Sequence, residues 1–127
     1  MPISDSLQIL VIEDEILVGM LVKDIITSLG HGVLGPLVHY EEALAAATQA
    51  NVDFAVLDVD LDGKEIYPIA DMLTHRQIPF VFCSGHGPMS IRASHRHIPM
   101  LQKPFYARQF KAMLAKVGVA AASHISQ

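Results

Sequence analysis

A single cysteine, Cys83, stands in 127 residues, so no internal disulfide can form. Without a disulfide framework, the expected setting is a reducing cytoplasm. Charge is scarce as well: charged residues make up 17% of the chain and apolar ones 51%. So small a charged fraction requires much of the chain to be buried, as in a parallel sheet covered by helices on both faces. Basic residues are outnumbered, and a formal net charge of -4 excludes the basic stripe of a general nucleic-acid binder. It also excludes a polybasic membrane anchor. No apolar run approaches the roughly 20 residues that cross a bilayer. Met1 to Gln8 lack the basic flank and apolar core of a signal peptide. There is no internal repeat. The one biased segment is the Ala-rich stretch Val119 to Gln127, which reads as a loose terminus.

What is present fits one domain with one hydrophobic core, spanning about residues 7–117, followed by a tail over 118–127. Apolar runs alternate with helical patterns, the mark of βαβ units. Leu7 to Ile12 is a short continuous apolar run and reads as a buried strand. From Glu15 to Leu29, apolar residues recur at 18, 21, 22, 25 and 29, which is helical spacing. Gly30 stands where a helix C-terminal glycine belongs. Val33 to Val38 reads as a weaker strand, interrupted by Gly35 and Pro36 and therefore placed at a sheet edge. Glu41 to Ala50 is Ala-rich and helical.

Phe54 to Asp58 reads as a strand ending on a carboxylate, and Leu61 to Tyr67 as a loop. A helix begins near Pro68, because proline is tolerated in a first turn. Phe80 to Cys83 and Ile98 to Gln102 are the fourth and fifth strands. Phe105 to Val117 is a helix with its apolar stripe at 110, 113, 114 and 117. Between these, Gly85 to His97 opens with Gly85, Gly87 and Pro88 and has no apolar period. A helix there is expected to be short or irregular. The expected fold is α/β, a doubly wound five-stranded parallel sheet. Such sheets bind ligands beyond the carboxyl ends of their strands.

The polar residues converge on that edge. Glu13 and Asp14 follow the first strand, Asp58 closes the third, Ser84 follows the fourth and Lys103 the fifth. Three carboxylates held close repel one another, and a hard divalent cation relieves that repulsion. Mg²⁺ takes oxygen ligands and keeps waters and phosphate oxygens in its shell. A carboxylate such as Asp58 can act as a nucleophile toward phosphorus. Phosphoryl transfer depends on positioning and positive charge, which a metal and Lys103 would supply. The Ser84 hydroxyl can donate a hydrogen bond to a phosphoryl oxygen.

The segments LVIEDE (10–15), VLDVDLDG (56–63), FCSG (82–85) and LQKPF (101–105) resemble the receiver domain of two-component response regulators, the CheY-like, flavodoxin-like fold. The resemblance implies a strand order of 2-1-3-4-5. It makes Asp58 the phosphoacceptor, with Glu13, Asp14, Asp58 and the backbone carbonyl of Asp60 serving Mg²⁺. Ser84 becomes the switch hydroxyl, and Lys103, before a cis peptide to Pro104, contacts the phosphoryl group. PFVFCSGHG (79–87) resembles a narrower group, stand-alone alphaproteobacterial receivers with a PFxFATGxG signature, often paired with HWE-type histidine kinases. Cys83 and Ser84 replace Ala and Thr of that signature. Met100 stands where many receivers carry the aromatic switch, and Leu61-Asp62-Gly63 replaces the usual Leu-Pro or Met-Pro.

The implied function is a single-domain response regulator of a phosphorelay, not a turnover enzyme, phosphorylated by a sensor histidine kinase. With no DNA-binding domain expected, its output is expected through a protein partner or as a phosphate sink. The competing readings are a phosphate-independent interaction module and a Mg²⁺-dependent phosphohydrolase. The module would lack the nucleophile, acidic pair or lysine, and the phosphohydrolase would carry a cap insert over its substrate. Neither mark is present. For Glu13 and Asp14 alone, the simpler reading is an acidic cap on the following helix. The histidines lack the spacing of a structural zinc site and read as solvated loop residues. Cys83 reads as an inert buried thiol and Leu61 to Lys64 as a turn. The stretch Gly85, His86, Gly87 to His97, in which Arg92, His95, Arg96 and His97 gather positive charge, is the expected moving part.

Overall fold

Each short apolar run forms a strand because both sheet faces are covered, so every side chain along it meets a core. In a computed structural model, which describes residues 6–117, the strands are β1 (Gln8–Ile12), β2 (Gly32–Leu37), β3 (Phe54–Asp58), β4 (Asp60–Leu61), β5 (Lys64–Glu65), β6 (Phe80–Ser84) and β7 (Met100–Gln102). The helices are α1 (Ile16–Ser28), α2 (Tyr40–Gln49), α3 (Tyr67–His75) and α4 (Ala107–Lys116). The parallel sheet runs β2-β1-β3-β6-β7, the doubly wound order expected once the small β4–β5 ribbon is set aside. The tail over 118–127 lies outside the described residues.

Alternation along β1 divides the core. Leu10 and Ile12 point to the side of α2 and α3, with Leu57, Phe82 and Leu73. Ile9 and Val11 point to the side of α1 and α4, with Val22, Ile26 and Phe110. Among the described residues no helix is long and apolar enough to cross a membrane.

Two details of helix and loop depart from the sequence reading. The stripe of α1 is rotated: Gly19, Val22, Ile25 and Ile26 are buried, while Leu21 is 48% exposed. Gly19 explains this, since a Cβ there would lie 2.8 Å from Pro36 Cγ. The helix turns its smallest residue to the β2 proline and carries Leu21 outward. The loop after Asp58 contains the antiparallel β4–β5 ribbon. Asp62 and Gly63 close it with φ of 55° and 71°, the left-handed pair that a two-residue hairpin turn requires.

The segment over 85–97 forms only two single 3₁₀ turns, Pro88–Ser90 and Ala93–His95, which matches the irregular fourth helix expected. Two of its basic residues have acidic partners, however. Arg92 meets Glu65 at 2.7 Å and His95 Nε2 meets Asp71 at 2.8 Å. His95 is also not simply solvated, since its ring packs 4.7 Å from that of Tyr67.

Arg76 ties α3 to α2. Its Nη1 and Nη2 donate to the carbonyls of Ala47 and Ala50 at 2.8 and 2.9 Å, among the last carbonyls of α2, which the helix itself cannot satisfy. Arg76→Met keeps the stem and removes both donors. Chemical denaturation is expected to show a loss of about 1–3 kcal/mol. An unchanged midpoint would mean that water replaces the guanidinium at no cost.

Candidate functional site

β1 delivers Glu13 and Asp14, and an irregularity in β2 sets their position. β1 pairs Leu10 with Leu34 and then Ile12 with Leu37, so β2 carries one extra residue at Gly35-Pro36. Gly35 has φ of 115°, and the Gly35-Pro36 peptide is cis. Beyond this bulge the Leu37 carbonyl accepts the Glu13 N–H at 3.0 Å. β3 ends on Asp58 and β6 on Ser84. The Lys103 N–H donates to the Ser84 carbonyl at 2.7 Å, extending the β6–β7 ladder one step. The Lys103-Pro104 peptide is cis, as the resemblance implied.

The carboxylates meet as expected. One oxygen each from Glu13, Asp14 and Asp58 lies within 4.8 Å of the others. Glu13 is 2% exposed and Asp58 5%. Backbone amides hold each acid: Asp60 N–H donates to Asp58 Oδ1 (3.3 Å), Asp62 N–H to Asp14 Oδ2 (3.0 Å) and Glu15 N–H to Glu13 Oε2 (3.1 Å). Lys103 Nζ lies 3.1 Å from Glu13 Oε1, 3.3 Å from Glu15 Oε1 and 3.6 Å from Asp58 Oδ1.

Burial first, then the hydrogen bond and charge of Glu13, push the Asp58 carboxyl up to about 8, against the pull of Lys103. Burial works against charge on Lys103 too, but Asp58 and Glu13 outweigh it and raise its affinity for a proton. One ammonium is thus insufficient for the carboxylates around it, and the cluster retains a proton that a cation could displace. The donor set is all oxygen, which suits a hard divalent ion. Burial pushes the Cys83 thiol up to about 12, so it is inert as expected.

A cleft of about 290 Å³ opens over this cluster. Asp60, Gly85 and His86 line it together with Asp58, Ser84 and Lys103. The Ser84 hydroxyl is occupied: it accepts the His86 N–H at 3.0 Å and meets Ser90 Oγ at 3.3 Å. Met100 lies opposite Phe82 in the β6–β7 register and packs into the core on the α2–α3 side. Tyr67 instead supplies an aromatic ring near the irregular segment. Its hydroxyl accepts the Arg92 N–H at 2.7 Å, and the Arg92 guanidinium lies 4.3 Å from its ring centre.

Sequence reasoning missed Glu15, Ser90 and Tyr67, and it took Asp62 only as part of a turn. A third acid directly after Glu13 and Asp14 was the visible signal for Glu15. Ser90 and Tyr67 carried none, because their roles depend on how the irregular segment folds back.

No family model matches the chain. Among solved structures, SdrG from Sphingomonas melonis Fr1 is 36% identical, with a TM-score of 0.81 over 91% of this chain and 98% of that one. SdrG in its BeF3-activated conformation is 38% identical, with a TM-score of 0.73 over 85% and 92%. The Phyllosphere-induced regulator PhyR of Methylorubrum extorquens is 28% identical in a 114-residue alignment that covers 86% of this chain. The chain spans only 42% of the length of that curated relative. The receiver domain of the sensor histidine kinase PA1611 from Pseudomonas aeruginosa PAO1, which has a magnesium ion coordinated in its active site cleft, shares the fold. Its TM-score is 0.72 over 89% of this chain and 98% of that one, at 18% identity.

Proposed function

This chain belongs to the receiver domains of response regulators, and from that premise we propose that it accepts a phosphoryl group on Asp58 from a phosphohistidine of a sensor histidine kinase. The observation that carries the reading is the crowding of Asp58, Glu13 and Asp14 under an open cleft, with Lys103 reaching Glu13 and Asp58. An Asp58 oxygen attacks phosphorus, the new O–P bond forms as the donor N–P bond breaks, and the imidazole leaves. The product is an aspartyl phosphate. Glu13, Asp14, Asp58 and the backbone carbonyl of Asp60 would hold Mg²⁺, which neutralises the charge that gathers on the transferring group.

Lys103 supplies the remaining positive charge. Ser84 must turn from His86 and Ser90 to donate to a phosphoryl oxygen. That turn pulls on the segment over 85–97, which serves as the moving part in place of an aromatic at Met100. The signal then passes to a protein partner, or the domain drains phosphate from a kinase, in either case in the cytoplasm. The SdrG likeness is compatible with the stand-alone PFxFATGxG group and with an HWE-type kinase as donor.

Incubation with acetyl phosphate and Mg²⁺, followed by intact mass measurement, tests the proposal. One added phosphoryl group is expected, and none when EDTA replaces Mg²⁺. An unmodified chain would favour the phosphate-independent interaction module, and sustained turnover of added phosphate esters would favour a phosphohydrolase.

A further inference from the structure

Lys103 has three donors and a choice of acids. Glu13 and Glu15 take it at 3.1 and 3.3 Å, while Asp58 waits at 3.6 Å, beyond ordinary hydrogen-bond reach. These acids differ in what their release would cost. The Glu13 side chain is 3% exposed, and the Glu15 side chain 66%. A buried carboxylate stripped of its cation is left uncompensated, whereas an exposed one passes into water. Glu15 is also anchored, because its N–H donates to Glu13 and its backbone caps α1. Glu15 lines the cleft together with Lys103 and Asp58.

We propose that Glu15 is a positioning residue that holds Lys103 in the resting state, and that a phosphoryl group on Asp58 recruits the lysine by displacing Glu15. This rests on the phosphoacceptor role of Asp58. Glu15 then sets the threshold for capture of the phosphoryl group: its charge competes for the same ammonium, and the exchange frees it into solvent. The buried Glu13 keeps its partner throughout.

Titration with beryllofluoride and Mg²⁺, a phosphoryl mimic, reads the competition directly. Glu15→Gln retains the shape and removes the charge. It is expected to tighten binding by up to roughly fivefold, the worth of an exposed ion pair. In a Lys103→Met background the same change should have no effect, because Glu15 acts through the lysine. If the gain persists there, Glu15 repels the anion directly and the proposal is wrong.

A second readout does not depend on Lys103→Met binding the mimic. The Nζ resonance of Lys103 should differ between Glu15→Gln and the unmodified chain when free, and coincide in the two complexes. A difference in both states, or in neither, would overturn the exchange. Should the unmodified chain fail to bind the mimic, the phosphoacceptor reading itself fails. Binding by the unmodified chain with no gain in Glu15→Gln removes only the role of Glu15.

Discussion

Asp58→Asn is expected to abolish labelling by acetyl phosphate while leaving the fold intact and, in EDTA at alkaline pH, more stable than the unmodified chain. The loss follows from chemistry, since an amide is no nucleophile toward phosphorus. Glu13 and Asp14 cannot substitute, because amides of neighbouring residues and Lys103 hold them in place. Intact mass decides it, and undiminished labelling of the variant would sink the assignment.

The stability gain follows from the crowding. Asp58 is pushed from 3.8 up to about 8, first by burial and then by Glu13. Between those values the native state binds more protons than the unfolded chain, so stability falls as pH rises. The contribution is complete below 3.8 and is lost as pH passes through about 8. Asparagine does not titrate, so the melting temperatures of the two chains should diverge with rising pH, the variant melting higher. Adding Mg²⁺ should reverse the order, because a ligand held by the native state alone stabilises it, by about 2.7 kcal/mol at a hundredfold excess over Kd. Parallel pH profiles in EDTA would show that Asp58 does not carry the strain.

Gly35→Ala is expected to be the most damaging small substitution in the sheet, lowering stability by about 3–5 kcal/mol. Gly35 has φ of 115°, a region L side chains rarely adopt. An added Cβ would meet the Val11 carbonyl oxygen at 2.5 Å and the Leu37 nitrogen at 2.8 Å. Both are backbone atoms of the β1–β2 pairing and cannot swing aside. The damage would reach the site, since the same bulge brings the Leu37 carbonyl to the Glu13 N–H. Chemical denaturation gives the stability loss, and Mg²⁺-induced stabilisation of whatever remains folded should weaken with it. A loss below 1 kcal/mol would mean that β2 repairs its register at little cost.

Much of this was legible in the sequence for a local reason. Continuous apolar runs such as ILVI and FVFC can be buried on both faces only in a covered parallel sheet. A polar residue that ends such a run must then stand at the sheet's carboxyl edge. That is enough to bring Glu13, Asp14, Asp58, Ser84 and Lys103 to one edge of the sheet. The sequence by itself also excluded a fourth helix of ordinary length, because Gly85, Gly87 and Pro88 open that segment and few apolar residues follow.

The tertiary structure alone decided what depends on contacts distant in the chain. Helical spacing marks Leu21 as core as readily as Val22 or Ile25, and only the approach of Gly19 to Pro36 sets the rotation of α1. Gly35 and Pro36 read as an interruption of a weak strand; paired against β1, they form the bulge that positions Glu13. Arg92 and His95 read as basic residues of one loop until Glu65 and Asp71 come into reach across a separation of 27 and 24 residues. Lys103 chooses among its carboxylates 88 and 90 residues away. Which acid it takes is a matter of ångströms and burial, and neither has a signature in residue order.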